Sequence, residues 1–306
     1  MTWIILVSCI GFVCLLKNLT SLVRWILNLL LRPAKDLTSY GSWALVTGST
    51  DGIGKAFAFK LAALGLNLVL LSRNSAKLKT VSAQIQASFP HIKIKVFELD
   101  FSSGDVGPAQ LKEAVKGLDI GVLINNVGVT YPRPMYFHEV DDQVWMNLVR
   151  VNLQGTTHVT RAVIAGMIHR GRGAILNIGS GASVVVPSHP LYAIYAATKA
   201  YVDQLSRSLY VEYKHYGIDI QCQVPLYVST RMASEVAYVE KSTIFIPTAE
   251  RYVEAAVKWI GYESRCSPYW AHSLQWFFAS MLPHSLLHSW RLSVAITRTQ
   301  KKPTSP

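Results

Sequence analysis

The sequence predicts an α/β fold, a doubly wound parallel sheet preceded by a membrane anchor, and three observations carry that reading. Short, almost wholly apolar runs alternate with amphipathic stretches from residue 43 to about residue 225, the pattern of parallel strands covered by helices on both faces. A glycine-rich turn, VTGSTDGIGKAFA, follows the first apolar run directly. Residues 3–16 (WIILVSCIGFVCLL) carry no charge at all.

The uncharged run is shorter than the roughly 20 residues of a span. Extending it to Val23 admits only Lys17, whose aliphatic stem can snorkel to the interface. A cleaved leader fits poorly, because the start, MTW, has no basic residue and no small-x-small cleavage site follows. Residues 1–32 are therefore read as an anchor, with the second apolar stretch, 19–31, lying in the membrane interface. Lys17, Arg24, Arg32 and Lys35 follow the apolar core, and the positive-inside rule places everything beyond them in the cytosol. The sequon Asn18-Leu19-Thr20 is then expected to stay unused. Pro33 ends the anchor, and 33–42 reads as a linker.

The expected strands are 43–47, 66–71, 92–99, 121–125, 174–179 and 218–224, and the helical stretches are 53–64, 75–88, 141–168 and 192–216. The catalytic domain is drawn at 43–230 and a substrate-binding, membrane-proximal extension at 231–290. Residues 226–247 look like a long loop with some helix. Residues 268–290 are aromatic-rich, hold three of the eight tryptophans and are broken by Pro283; they suit either core packing or a surface dipping into the membrane interface. Residues 291–306 read as a polar tail, disordered over the final TRTQKKPTSP.

Half of the chain is apolar, enough for a sizeable core, and Lys plus Arg exceed Asp plus Glu by 12. Such a surplus invites anionic partners. The basic residues are scattered without a zinc-finger, basic-zipper or RNA-binding signature, which argues against nucleic acid. The four cysteines, Cys9, Cys14, Cys222 and Cys266, form no C-x-x-C pair, which fits a reducing compartment and no metal site.

In the glycine turn, Gly48 lets the chain turn, Gly52 lets backbone approach a pyrophosphate, Gly54 permits close helix packing, and the next helix offers its positive end to phosphate. At the end of the second strand, where an NAD site places an acidic residue, stand Ser72 and Arg73. An arginine there pairs with a 2′-phosphate, so NADPH is the expected cofactor.

These motifs resemble the short-chain dehydrogenase/reductase family and its Rossmann-like fold: Thr47 to Gly54 as T-G-x-x-x-G-x-G, Asp100 in ELDFS, Asn125-Asn126-Val127-Gly128, Asn152 in VNLQG, Tyr195-x-x-x-Lys199, and PLYVST (225–230) with Leu226 where the family has glycine. The resemblance implies a cofactor site of Thr47, Gly48, Ser49, Asp51, Gly52, Ile53, Gly54, Ser72, Arg73, Asp100, Asn126, Tyr195, Lys199 and Val228, and catalytic Asn152, Ser180, Tyr195 and Lys199. The anchor, the stretch RPAKDLTSYGSWALVTGSTDGIGKAFA and the runs YFHEVDD and HYGIDIQCQVPLYVSTRMA are similar to the membrane-bound very-long-chain 3-oxoacyl-CoA reductases, above all those of plants. This implies reduction of a 3-oxoacyl-CoA in fatty-acid elongation at the endoplasmic reticulum membrane, with long-chain acyl-CoA as substrate, and membrane lipid and other elongase subunits as partners. A hydroxysteroid-type (17-beta) dehydrogenase shares the motifs, and a non-catalytic elongase subunit is the reading from another class. Lys301-Lys302 are followed by four more residues, which breaks a terminal di-lysine signal.

Reducing a ketone requires a proton donor, and free tyrosine titrates near 10. Residues four apart share a helix face, which singles out Tyr195 beside Lys199 over Tyr192 and Tyr201. Lys199 is expected to lower the phenol and hold the nicotinamide ribose, and Asn152 to anchor a water beside Lys199. A second donor should polarise the carbonyl. The family's position, 13 before the tyrosine, is Ala182 here. Ser180, directly after a strand, is the choice over Ser183, so Ser180 and Tyr195 are the expected substrate contacts. His138, His189, His272, His284 and His288 are expected to be packing or surface residues.

Overall fold

The computed structural model describes residues 2–104, 108–239 and 241–300. It divides into two compact units, Met1–Ala34 and Lys35–Pro306. The first is one uninterrupted helix, α1 (Thr2–Leu31). Both apolar stretches thus belong to a single helix, because no Pro or Gly separates them. Thirty residues at about 1.5 Å each span about 45 Å, and Trp3–Leu31 is long and apolar enough to cross a membrane.

The second unit is built on seven strands: β1 (Trp43–Thr47), β2 (Asn67–Ser72), β3 (Ile94–Glu98), β4 (Ile120–Asn125), β5 (Gly173–Ile178), β6 (Ile218–Gln223) and β7 (Arg265–Cys266). They pair in parallel in the order β3-β2-β1-β4-β5-β6-β7. The order reverses between β1 and β4, and a ligand crevice forms at such a switch point, outside the carboxyl ends of the strands. Successive β1 residues serve opposite faces of the sheet. Ala44 and Val46 join the core that includes Phe57, Leu61, Leu68 and Leu70, and Leu45 joins Val69, Leu71, Leu123 and Ile175 on the other side.

Helices α2 (Gly52–Ala63), α3 (Ser75–Ser88) and α4 (Pro108–Val115) follow the first three strands, and α5 (Asp142–Leu148) leads through a π-helical segment, Val149–Gly155, into α6 (Thr156–Arg170). After β5 come a single turn, α7 (Gly181–Val184), and the long α8 (Ala193–Tyr213). The remainder is more regular than its sequence suggests: α9 (Arg231–Ala237), α10 (Ala249–Ala256), α11 (Trp270–Met281) and α12 (His284–Gln300). Tyr252, Val253 and Ala256 of α10 pack into the sheet core with Phe57 and Leu61 of α2, and β7 extends the sheet, so part of the expected extension belongs to the central fold. Helix α12 covers residues expected to be tail and buries Arg291 and Ala295; Lys301-Lys302 lie outside the described residues.

The expected linker is also structured. Leu37 and Tyr40 are buried, and Asp219 of β6 accepts hydrogen bonds from Tyr40, Lys214 and, at 2.9 Å, Lys35. Burial works to raise the Asp219 carboxyl, but its bonds to Lys214, Tyr40 and Lys35 outweigh that and hold it below the ordinary value. A depressed carboxylate stabilises the fold above its unfolded value, near 3.9, and that contribution is lost as pH falls through the folded value. Asp219→Ala is expected to destabilise this unit by about 2–4 kcal/mol and to remove this part of the acid dependence, measured by urea unfolding at neutral and acid pH.

Candidate active site

At the carboxyl ends of the strands opens a cavity of about 1030 Å³. Its first half is the glycine turn. Gly48 and Gly52 have φ of 63° and 50°, the left-handed region that glycine enters without strain. A Cβ on Gly54 would lie 2.2 Å from the Gly48 carbonyl oxygen, so α2 starts against the turn only because Gly54 has no side chain. Asp51 caps α2 by accepting from the Gly52 N–H at 2.8 Å. Thr47 Oγ1 accepts from the N–H groups of Asn126 and Val127, both at 3.0 Å, and Asn126 Nδ2 donates to the carbonyls of Thr47 and Gly48 at 3.2 Å. These bonds tie the ends of β1 and β4 across the switch point.

Ser49 is fully buried and its hydroxyl donates to the Leu71 carbonyl. Ser72 Oγ lies 3.0 Å from Thr50 Oγ1. Arg73 is exposed at the cavity wall and, among the described residues, forms no hydrogen bond or ion pair. Asp100 Oδ1 accepts from the backbone and hydroxyl of Ser102. Ile53, Asn126 and Val228 complete this half. Glycines where a Cβ would clash and an uncommitted guanidinium at the end of β2 suit a phosphorylated dinucleotide.

The second half holds the reactive side chains. Ser180 caps α7, its oxygen accepting from the Ala182 N–H at 3.2 Å. That leaves its proton to donate, and Ser180 lines the cavity with Tyr195, whose phenol it works to lower. Ser183 spends its hydroxyl on the Ser180 carbonyl at 3.0 Å. Tyr192, although buried in the wall, bonds the Val236 carbonyl, and Tyr201 bonds Thr157. The structure thus brings Ser180 and Tyr195 together.

Lys199 departs from the expected direct coupling to the phenol. Its Nζ donates to the Ile178 carbonyl at 2.9 Å, because the side chain runs toward the end of β5. Burial, partly offset by Ser180, raises the Tyr195 phenol. Burial also lowers the Lys199 ammonium to about 8, so at neutral pH it is mostly charged. Asn152 sits in the π-helical segment, a form common at functional sites. It donates to the Val129 carbonyl at 3.0 Å and to Thr198 at 2.9 Å and accepts from the Val129 N–H at 2.9 Å. Ideal Cβ positions on Gly128 lie 3.4 Å from Lys199 Nζ and 3.5 Å from Asn152 Oδ1, so both groups flank that glycine.

Several residues in or behind the wall carry no signal in the motifs. His272 is wholly buried, and burial lowers it to about 4. As a neutral ring it accepts from the Leu226 N–H at 3.3 Å and donates to the Tyr227 carbonyl at 3.1 Å, fixing the loop where the family's glycine is replaced. His189, Tyr227, Arg291 and Arg298 also line the cavity, with Phe278, Leu282, Leu286 and Trp290 from α11 and α12. The aromatic segment is therefore cavity wall. Arg291 and Arg298, two helical turns apart on one face, were the available clue.

Residues 42–240 match the family described as short chain dehydrogenase. The chain belongs to that family. It is 60% identical, over 94% of its length and 93% of the other chain, to an Arabidopsis thaliana protein named very-long-chain 3-oxoacyl-CoA reductase-like protein. It is 42% identical, over 79% of its length and 76% of the other, to the Mus musculus very-long-chain 3-oxoacyl-CoA reductase. A Homo sapiens relative named inactive hydroxysteroid dehydrogenase-like protein 1 is 39% identical over 82% of this chain and 75% of its own. Among solved structures, a metagenomic short-chain oxidoreductase in complex with NADP superposes with a TM-score of 0.56 at 29% identity, covering 61% of this chain and 83% of that one.

Proposed function

We propose that this member of the family is a membrane-anchored reductase that converts a 3-oxoacyl-CoA to the 3-hydroxyacyl-CoA with NADPH, in very-long-chain fatty-acid elongation. The observation that carries the reading is the Ser180–Tyr195 hydroxyl pair in a cavity whose far wall is apolar, together with relatives named for this reaction. NADPH, when bound, supplies hydride to the ketone carbon. The glycine turn and Ser72–Arg73 would hold it, with Arg73 at the 2′-phosphate.

Tyr195 gives its proton to the ketone oxygen as charge develops there, and Ser180 donates a hydrogen bond to the same oxygen. The raised phenol is in its donor form at neutral pH. The tyrosinate left behind needs a cation nearby. Lys199 is that cation once its ammonium leaves the Ile178 carbonyl for the ribose and phenol. Asn152, held by Val129 and Thr198, keeps Lys199 and the Gly128 turn in register.

Purified full-length chain in detergent, assayed for NADPH consumption with a long-chain 3-oxoacyl-CoA and separately with a ketosteroid, tests the reading. Turnover of the first supports it; turnover of the steroid alone, or of neither, sinks it. Because Lys199 loses its charge through about pH 8, kcat for reduction should fall as pH rises above that value. Arg73→Ala should raise KM for NADPH by about 10- to 100-fold while leaving KM for NADH nearly unchanged, so the ratio of the two reports the 2′-phosphate contact.

The relatives named very-long-chain 3-oxoacyl-CoA reductases support an anchor in the endoplasmic reticulum membrane, and Lys17, Arg24, Arg32 and Lys35 support a catalytic unit in the cytosol. In microsomes, protease added from outside should digest the catalytic unit, and Asn18 should carry no glycan. Protection of that unit would reverse the orientation.

A further inference from the structure

Helix α12 brings two guanidinium groups into the wall of the substrate half of the cavity, and no carboxylate among the described residues meets them. Arg291 is 8% exposed. Its Nη2 donates to the His189 ring at 2.7 Å, its charge works to lower the Tyr227 phenol, and its Nε is buried without a partner. Arg298, half-buried one face-repeat further along the helix, donates from Nη1 to the Tyr227 hydroxyl at 2.8 Å and lies over the Tyr227 ring.

No described carboxylate meets either arginine: their partners are the His189 imidazole and the Tyr227 phenol. Burial, reinforced by Arg291 and Arg298, lowers His189 to about 3, so it carries no charge at physiological pH. Burial works to raise the Tyr227 phenol, but the charges and hydrogen bonds of Arg298 and Arg291 outweigh that and leave it below its ordinary value. The carboxylates on the cavity wall are engaged elsewhere: Asp100 with Ser102, and Asp51 and Glu235 with Arg231. Among the described residues neither arginine forms an ion pair with a carboxylate. Two cations enclosed without a carboxylate are costly to fold, and that cost is recovered when an anion with several acceptor oxygens arrives.

We propose that Arg291 and Arg298, bridged by Tyr227, form an anion subsite that takes a phosphate group of the coenzyme A arm of the substrate. The inference rests on the acyl-CoA reading above and sharpens it. The same wall offers Phe278, Leu282, Leu286 and Leu287 to an aliphatic chain, so the cavity suits a ligand that is apolar at one end and phosphorylated at the other. A neutral ketosteroid leaves both arginines unmatched.

The test uses full-length chain in detergent with saturating NADPH, so that Arg73 and the glycine turn are occupied. Binding of free coenzyme A and of pantetheine, which lacks the phosphates, is followed through tryptophan fluorescence, Trp290 being part of the wall. The wild-type chain should prefer coenzyme A by at least about 30-fold. Arg291→Gln and Arg298→Gln should each shrink that preference toward one, and Arg291→Lys should restore part of it. Circular dichroism melts identify a variant that fails to fold, and the second site then decides. Equal binding of the two ligands by the wild type, or a preference that survives in folded Gln variants, overturns the subsite. Equal kcat/KM for the 3-oxoacyl thioesters of coenzyme A and pantetheine overturns the subsite while the reductase stands. A wild-type chain that prefers coenzyme A and loses the preference in the variants, yet consumes no NADPH with either thioester, overturns the reductase and leaves the subsite.

Discussion

Replacing Tyr195 with Phe is expected to lower kcat for reduction of a 3-oxoacyl-CoA by about 100- to 10,000-fold, with NADPH still bound in a fluorescence titration. The substitution keeps the ring and removes the hydroxyl that shares the cavity wall with Ser180. No neighbouring tyrosine can take its place. The Tyr192 hydroxyl is committed to the Val236 carbonyl, and Tyr201 to Thr157 at 2.8 Å. Tyr201→Phe, away from the cavity, should leave kcat near the wild-type value. Ser180→Ala should cost less than the tyrosine, about 10- to 100-fold in kcat, because it removes a neutral hydrogen bond to the developing charge and leaves the proton source in place. If Tyr195→Phe retains near-normal turnover, another group supplies the proton and the mechanism above is wrong.

Much of this site was legible because its chemistry depends on residues close in sequence. Gly48, Gly52 and Gly54 lie in one turn, and Tyr195 and Lys199 are one helical turn apart, so spacing alone carried the geometry. The choice of Ser180 over Ser183 followed from its place directly after an apolar strand, and the cap it forms on α7 uses its oxygen as acceptor and leaves its proton to donate. What spacing could not convey was where Lys199 points. Sharing a helix face allows a contact with Tyr195, but the end of β5 offers the ammonium a carbonyl at 2.9 Å, and a strand end contributed by tertiary folding is invisible in a local pattern.

The C-terminal third was harder for the same reason. Residues 284–300 are polar on average, and the face of α12 that meets the cavity carries Arg291 and Arg298 beside Leu287. Read locally, polar residues at those positions suggest a solvated tail. Their burial follows from partners far away in sequence, His189 and Tyr227. His272 was similarly opaque: a neutral ring clamping the backbone at Leu226 and Tyr227 can be recognised only once those two segments are seen side by side.

Gly54→Ala is the substitution expected to damage cofactor binding most. The added methyl would lie 2.2 Å from the Gly48 carbonyl oxygen and 2.4 Å from Asn126 Nδ2, and neither can retreat cheaply. Gly48 is held at a φ of 63° in the turn, and the Asn126 amide donates to the carbonyls of Thr47 and Gly48 at 3.2 Å. Relief requires α2 to move away from the end of β1, which carries the helix N-terminus out of phosphate range. Overpacking of this kind costs about 1–3 kcal/mol, and the Kd for NADPH should rise by at least about 100-fold if two hydrogen bonds to charged oxygens are lost. Gly65→Ala provides the contrast. Gly65 has a φ of 89° with nothing within 4 Å of an added Cβ; its replacement should lower stability by about 1 kcal/mol through backbone strain and leave NADPH affinity unchanged. Calorimetric titration with NADPH on both variants, beside their thermal melts, separates loss of the phosphate cradle from general destabilisation. A Gly54→Ala chain that melts early yet binds NADPH like the wild type would show that the close approach of Gly54 to Gly48 serves packing alone.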